Sequence, residues 1–416
     1  MPDPIFPALH IRPRQGWVND PNGICRIDGT YHVFFQHNPD APWHGNVHWG
    51  HASSADLLRW RYHPAALSPR PGKIDSVGCW SGCIIDDNGV PTAVYTANSG
   101  DARQAVVALA RSDRSLLTWQ QQETAVAATP IRPGVDEVRD PFVFFHAGRR
   151  YAVQGAGHRN GRPQLLLWGC DDFSQWEEFG ALLTDDDPVA AQIAPANIWE
   201  CPNLVPMDDR WVLLISLWRW ANDSHRLIGV RYLIGDLLGD ADGLRFKATA
   251  GGVVDDGPAF YAPQVLATTD RTLLWGWAWE IGRTPAQLVQ AGWAGMLTFP
   301  RELFLCDGHL ESRPAAELRG LRSAELPWQR PFTEHSFEMV VSDSMTLQLL
   351  DRDDEHTVAT VSASPDRPGR IFVDGSIIEV FQDGSAYTTR AYPSQTSRWA
   401  IQTSGGVELY RLGLAD

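Results

Sequence analysis

Three acidic side chains stand in short segments whose make-up could serve chemistry. They are Asp20 in Trp17-Val18-Asn19-Asp20-Pro21-Asn22-Gly23, Asp140 in Val138-Arg139-Asp140-Pro141, and Glu200 in Ile198-Trp199-Glu200-Cys201-Pro202-Asn203. Each also has a plain structural reading. Asp-Pro-Asn-Gly is turn chemistry, because Pro fixes φ and Asn-Gly tolerates positive φ. An Arg-Asp pair ahead of Pro can be a surface ion pair of little energetic weight. A Glu beside Trp can be an exposed strand end. The chemical readings differ. Asp20 lies just before its turn, where a strand would present it to a funnel. Arg139 would keep Asp140 ionised by opposite charge, and the pair could hydrogen-bond vicinal hydroxyls. Glu200 sits in the apolar setting that suits a general acid. Together the three supply what glycoside hydrolysis requires: a carboxylate to attack the anomeric carbon, an acid to protonate the leaving oxygen, and a third carboxylate to hold substrate hydroxyls.

Something must bring these distant segments together. Asp20, Trp80, Asp140, Glu200 and Tyr261 follow one another at intervals of 60, 60, 60 and 61 residues, without sequence identity between the segments. Such a period suits a five-bladed propeller with about four strands per blade, in which the first strand of every blade lines one axial funnel. Short runs such as Tyr31-His32-Val33-Phe34-Phe35, Phe142-Val143-Phe144-Phe145 and Leu273-Leu274-Trp275-Gly276-Trp277 alternate with Gly, Pro, Asn and Asp turns. This is an all-β pattern. The texture changes near residue 300, and alternation resumes near Leu326 with Ile371-Phe372-Val373 and Ile377-Ile378-Glu379-Val380-Phe381. The expected organisation is a catalytic propeller over residues 1–300, a linker with a short helix over 301–325, and a β-sandwich over 326–416.

Composition narrows the class of partner. The 416-residue chain carries 50 acidic and 35 basic residues, a net charge of −15, which disfavours a polyanion such as nucleic acid. Its 18 Trp, 36 Gly and 29 Pro fit a turn-rich β protein with aromatic surfaces for sugar, although most of the indoles are expected in the core. The six scattered cysteines imply no disulfide framework or zinc ribbon. Met1-Pro2-Asp3-Pro4-Ile5-Phe6-Pro7 lacks the features of a signal peptide, and the apolar stretch Trp211 to Trp218 is too short to span a bilayer. A cytoplasmic location without a membrane partner is the expectation. His37, His44, His48 and His51 raise the question of a metal, but their spacing matches no standard ligand set.

The segments resemble glycoside hydrolase family 32, the β-fructofuranosidases, from about Ile11 to Tyr392. Val18 stands where Met is common in the first motif. Phe35-Gln36-His37-Asn38-Pro39 with Trp43 and His48-Trp49-Gly50-His51, Trp80-Ser81-Gly82, Phe260-Tyr261-Ala262-Pro263-Gln264, Gly292-Trp293-Ala294-Gly295, and Val373-Asp374-Gly375-Ser376 resemble further family blocks. The resemblance implies a five-bladed propeller followed by a β-sandwich, retention at the anomeric centre, and neither metal nor cofactor. It implies Asp20 as nucleophile, Glu200 as acid/base and Asp140 as transition-state stabiliser. Asn19, Gln36, Trp43, Ser81, Arg139 and Asp140 would hold the fructosyl unit, and Cys201 would support the acid. Trp80 and Tyr261 belong to matching blocks. The chain departs from the pattern at three further places: His44 separates Trp43 from Gly45-Asn46, Cys83 replaces a frequent Ser, and Ala259 stands where an acidic residue is usual, with Asp255 nearby.

The implied activity is release of terminal β-D-fructofuranosyl units from sucrose and short fructo-oligosaccharides, giving fructose. Exo-hydrolysis of levan or inulin, fructosyl transfer, an arabinan-active propeller and a non-catalytic sugar-binding propeller are the alternatives. A phosphorylated sucrose would call on Arg219 or Arg226. Oligomeric state is not legible in the sequence.

Overall fold

The computed structural model describes residues 3–130, 134–158, 161–221, 224–240, 243–352 and 354–414. Alternating apolar runs and turns fold into five antiparallel blades, and each blade begins with a strand that runs along the central axis. Those inner strands are Gly16–Ile27, Gly78–Asp87, Glu137–His146, Ile198–Met207 and Phe260–Ala267. Their neighbours, such as Thr30–Asn38 and Val90–Asn98, are buried along most of their length, which explains why they read as continuous apolar runs. Tight hairpins at Asp28-Gly29, Asn88-Gly89 and Asp307-Gly308 carry positive φ at both turn residues, as two-residue connections between twisted strands require.

Every inner strand breaks register near its middle, and the first breaks again between Asn22 and Cys25. The breaks fall between Val18 and Pro21, Cys79 and Gly82, Arg139 and Phe142, Glu200 and Asn203, and Tyr261 and Gln264. A bulge places two consecutive residues against one partner residue and re-aims both side chains. Asp140, Cys201 and Ala262 adopt left-handed φ values of 59°, 46° and 44° at these points, and each precedes a proline. Two residues after Asp20, Ser81, Cys201 and Ala262, side chains stitch one blade to the next. Asn22 accepts from Gly82 N at 3.3 Å, Cys83 Sγ from Val143 N at 3.3 Å, Asn203 from Val265 N at 3.0 Å and Gln264 from Ile24 N at 2.9 Å. Phe142 occupies the remaining position, and there Cys201 N donates to Asp140 Oδ2 at 3.0 Å instead.

The ring is closed by an excursion from blade five. Trp293–Ala294 pairs in parallel with Gly16 and Trp17, and Met296–Leu297 then returns to pair with Trp277 and Ala278. The Arg12 guanidinium clamps this seam by donating to Ala294 O at 2.9 Å, Gly295 O at 2.5 Å and Gly16 O at 2.8 Å. Gly295 is required there, since its φ is 70° and a Cβ would lie 1.9 Å from Val18 O.

The expected boundaries need correction. Arg301–Cys306 and His309–Pro314 are not linker but the outer strands of blade five, because Arg301, Glu302 and Leu303 pair with Leu274, Leu273 and Thr272. The link is a single 3-10 segment, Ala316–Leu321, and the sandwich opens at Arg322–Leu326 rather than at 326. Its six-stranded sheet packs on the propeller and its three-stranded sheet closes the core around Phe337, Leu347, Ile371 and Trp399.

A fully buried charge network joins the two units. Arg301 donates to Asp255 at 2.7 Å and to Glu379 at 2.6 Å, and His10 lies between Asp374 at 2.7 Å and Glu379 at 3.1 Å. The carboxylates hold His10 above its ordinary titration range against the opposing effect of burial. Asp374 and Glu379 are held low by His10 and, for Glu379, by Arg301, also against burial. No described helix is long and apolar enough to cross a membrane.

Candidate active site

Residues in the first four bulges, and Tyr261 just before the fifth, converge on one cavity of about 380 Å³ at the mouth of the axis. Its floor is acidic. Asp20 and Asp140 come from bulge positions in blades one and three, and Glu200 precedes the bulge of blade four. Asp20 Oδ2 accepts the Ser81 hydroxyl, Gln36 Nε2 at 3.3 Å and the Cys201 thiol at 3.5 Å. The same thiol lies 3.4 Å from Asp140 Oδ2, so it bridges the two aspartates. Asp140 N donates to Thr96 Oγ1 at 2.8 Å, which fixes the strained backbone of that residue. Glu200 is held at both oxygens, by Arg139 Nε at 2.8 Å and by the Tyr261 hydroxyl at 2.6 Å.

The electrostatics follow from burying several carboxylates around one guanidinium. Burial, then the charge of Asp140, pushes the Asp20 carboxyl up to about 8, while the Ser81 and Cys201 hydrogen bonds pull against that rise. Asp140 is raised to about 6 by burial and by Glu200, with Arg139 opposing. Such a floor resists carrying every negative charge at once. A cation forming above it would relieve that repulsion. The Asn19 Oδ1 is buried without a partner and lines the cavity, so it is ready to accept from a ligand hydroxyl.

Aromatic rings make the walls. Trp277, Trp17, His44 and Trp80 meet edge to face in sequence, with centroid separations of 5.7, 5.2 and 6.1 Å. Opposite them, the long hairpin formed by Arg210–Ala221 and Ser224–Asp240 brings Trp218, His225 and Leu227 to the mouth, with His225 stacked on Trp218 at 5.4 Å.

Asn19, Asp20, Gln36, Trp80, Ser81, Arg139, Asp140, Glu200, Cys201 and Tyr261 all line this cavity. Two expected contacts do not. Trp43 is 54% exposed and turned outward, and His44 takes the wall instead. Asp255 is buried at the junction with the sandwich, bonded to Arg301 and Thr388, because the chain there has not yet run inward from the rim of blade four. The support expected from Cys201 is also redirected, since its thiol faces Asp20 and Asp140 rather than Glu200. Glu200 lies against a cation and a phenol instead of the purely apolar surroundings its neighbours suggested. Cys83 belongs to a blade seam, not the cavity. Arg219 and Arg226 are cross-strand neighbours outside the lining, with Arg219 donating to Pro195 O at 3.0 Å. Trp17, Glu137, His225, Leu227, Trp218 and Trp277 were not anticipated as lining. Trp17 and Glu137 had a signal, since Trp17 sits in the first acidic motif and Glu137 lies two residues before Arg139 on the same strand face.

Residues 10–314 match the glycosyl hydrolases family 32 N-terminal domain, and residues 333–413 match the family 32 C-terminal domain. The chain is 34% identical over 328 residues to a sucrose-6-phosphate hydrolase of Escherichia coli, covering 76% of this chain and 66% of that protein. It is 31% identical over 354 residues to a raffinose invertase of Escherichia coli, covering 83% and 72% respectively. These matches span about two thirds of the relatives' length. Among solved structures, a Bombyx mori β-fructofuranosidase superimposes with a TM-score of 0.82 at 24% identity, covering 98% of this chain and 94% of that one.

Proposed function

This chain belongs to glycosyl hydrolase family 32, and we propose that it is a retaining β-fructofuranosidase that releases terminal fructosyl units from sucrose and short fructo-oligosaccharides. The observation that carries the proposal is the meeting of Asp20, Asp140 and Glu200 on the floor of one aromatic-walled cavity. In the first step an Asp20 oxygen attacks fructosyl C2. The C2–O bond breaks, and Glu200 gives its proton to the departing oxygen. In the second step Glu200 takes a proton from water, whose oxygen displaces Asp20 from C2. Asp140, Arg139 and Asn19 hold ring hydroxyls, and Asp140 faces the positive charge that develops at C2. Ser81 and Gln36 orient the nucleophile.

The leaving group would occupy the space between Trp80 and His44 on one side and Trp218 and His225 on the other. Among the described lining residues the one guanidinium is Arg139, and it is already paired with Glu137 and Glu200. An unphosphorylated sugar therefore suits the cavity better than a phosphorylated one.

Sucrose turnover by purified Asp20→Asn and Glu200→Gln proteins tests the proposal. Asp20→Asn should lose roughly 10⁴-fold in kcat; near-normal cleavage would refute the nucleophile. Glu200→Gln should lose far more on sucrose than on a fructoside with an activated leaving group. Equal losses on both would speak against its acid role.

A further inference from the structure

We infer that Glu137 is a positioning residue for the acid/base step, anchoring the far end of the Arg139 guanidinium so that this cation cannot close on Glu200. The inference rests on the reading of Glu200 as acid/base. Glu137 opens the inner strand of blade three two residues before Arg139, so both side chains project from the same face. Its side chain is 13% exposed and lines the cavity. Glu137 Oε2 accepts from Arg139 Nη1 at 2.5 Å, Arg139 Nε donates to Glu200 Oε1 at 2.8 Å, and the Tyr261 hydroxyl donates to Glu200 Oε2 at 2.6 Å. The guanidinium also lies 6.0 Å from the Trp218 ring centroid. A carboxylate, a guanidinium, a second carboxylate and a phenol thus form one chain across blades three, four and five.

The guanidinium is a rigid fork whose parallel N–H groups favour both oxygens of a single carboxylate. Here that pairing is refused: one edge goes to Glu137, and a single N–H reaches Glu200. Without Glu137 the fork is free to roll, take both Glu200 oxygens and displace Tyr261. A carboxylate gripped at both oxygens by a cation is ill placed to carry a proton to a leaving group. The other carboxylates near by are engaged elsewhere: Asp101 with Arg103 at 2.8 Å, Asp136 with His158 at 3.0 Å and Asp140 with Cys201 N at 3.0 Å.

Steady-state kinetics of Glu137→Ala and Glu137→Gln on sucrose and on an aryl β-fructofuranoside test this. Glu137→Ala should lose about 10–100-fold in kcat on sucrose, with little change in KM and a much smaller loss on the aryl substrate. Glu137→Gln, whose amide oxygen still accepts from the guanidinium, should recover most of the sucrose activity. Should Glu137→Ala fail to fold, Glu137→Asp replaces it: the shortened carboxylate keeps the charge but not the reach, and should show the same substrate split. Equal losses on both substrates, no loss on either, or no recovery in Glu137→Gln would overturn the inference. Inactivity of the unaltered protein on both substrates would instead remove the reading beneath it.

Discussion

Asp20 is fixed by three donors of different strength, and this makes its ionisation the most sensitive property of the site. Ser81 favours the anion, whereas burial and Asp140 oppose it, with the balance at about 8. Removing the hydroxyl in Ser81→Ala should therefore move the acidic limb of the kcat/KM profile upward by about one pH unit. A pH series on sucrose checks it, and an unmoved limb would show that the hydroxyl does not govern ionisation. The motifs of the carboxylates were legible because their types and neighbours are local facts. The walls were not. His225 and Leu227 reach the mouth only through the length of a hairpin, and His44 only through how one loop turns Trp43 outward. Asp255 misled because closeness to Phe260 along the chain says nothing about which end of an extended segment lies near the axis.

At the scale of the element, the bulge is the unit that builds the site. Residues in or just before each break reach the axis, and so an interval of about sixty is visible whichever of them is counted. The five equivalent positions are Asp20, Ser81, Asp140, Cys201 and Ala262, each followed by Pro or Gly. That dipeptide pattern does not stand out in the sequence because its residue types differ from blade to blade. Where the fifth blade closes on the first, geometry leaves no room for a side chain. Gly295→Ala would put a methyl group 1.9 Å from Val18 O at a φ of 70°. It should cost roughly 3 kcal/mol, read as a lower urea midpoint. An unchanged midpoint would mean that the seam can open without consequence.

For the whole molecule, fold class and domain order followed from alternation and texture, whereas the boundary did not. Arg301–Cys306 resembles linker only until its partner strand, Thr272–Ala278, is known. The junction predicts how stability responds to pH. Because the folded state raises His10 above 6.5, its contribution is complete below that value and fades as pH rises through the higher folded value. Asp374 and Glu379, held low, contribute above their ordinary values of 3.8 and 4.5 and lose their effect as pH falls further. Unfolding free energy should therefore fall on the alkaline side of 6.5, and His10→Gln should flatten that fall. The same slope in both proteins would assign it to other groups.

The strand that completes the circle comes from residues 293–294, yet it docks on residues 16–17. During synthesis the earliest blade must wait, with one border unmatched, until residue 294 of 416 has left the ribosome. A chain stalled or cleaved before that point would hold Asp20 and Glu200 already made but would have no circumference to set them face to face. Catalysis should then appear abruptly with chain length, not in proportion to it.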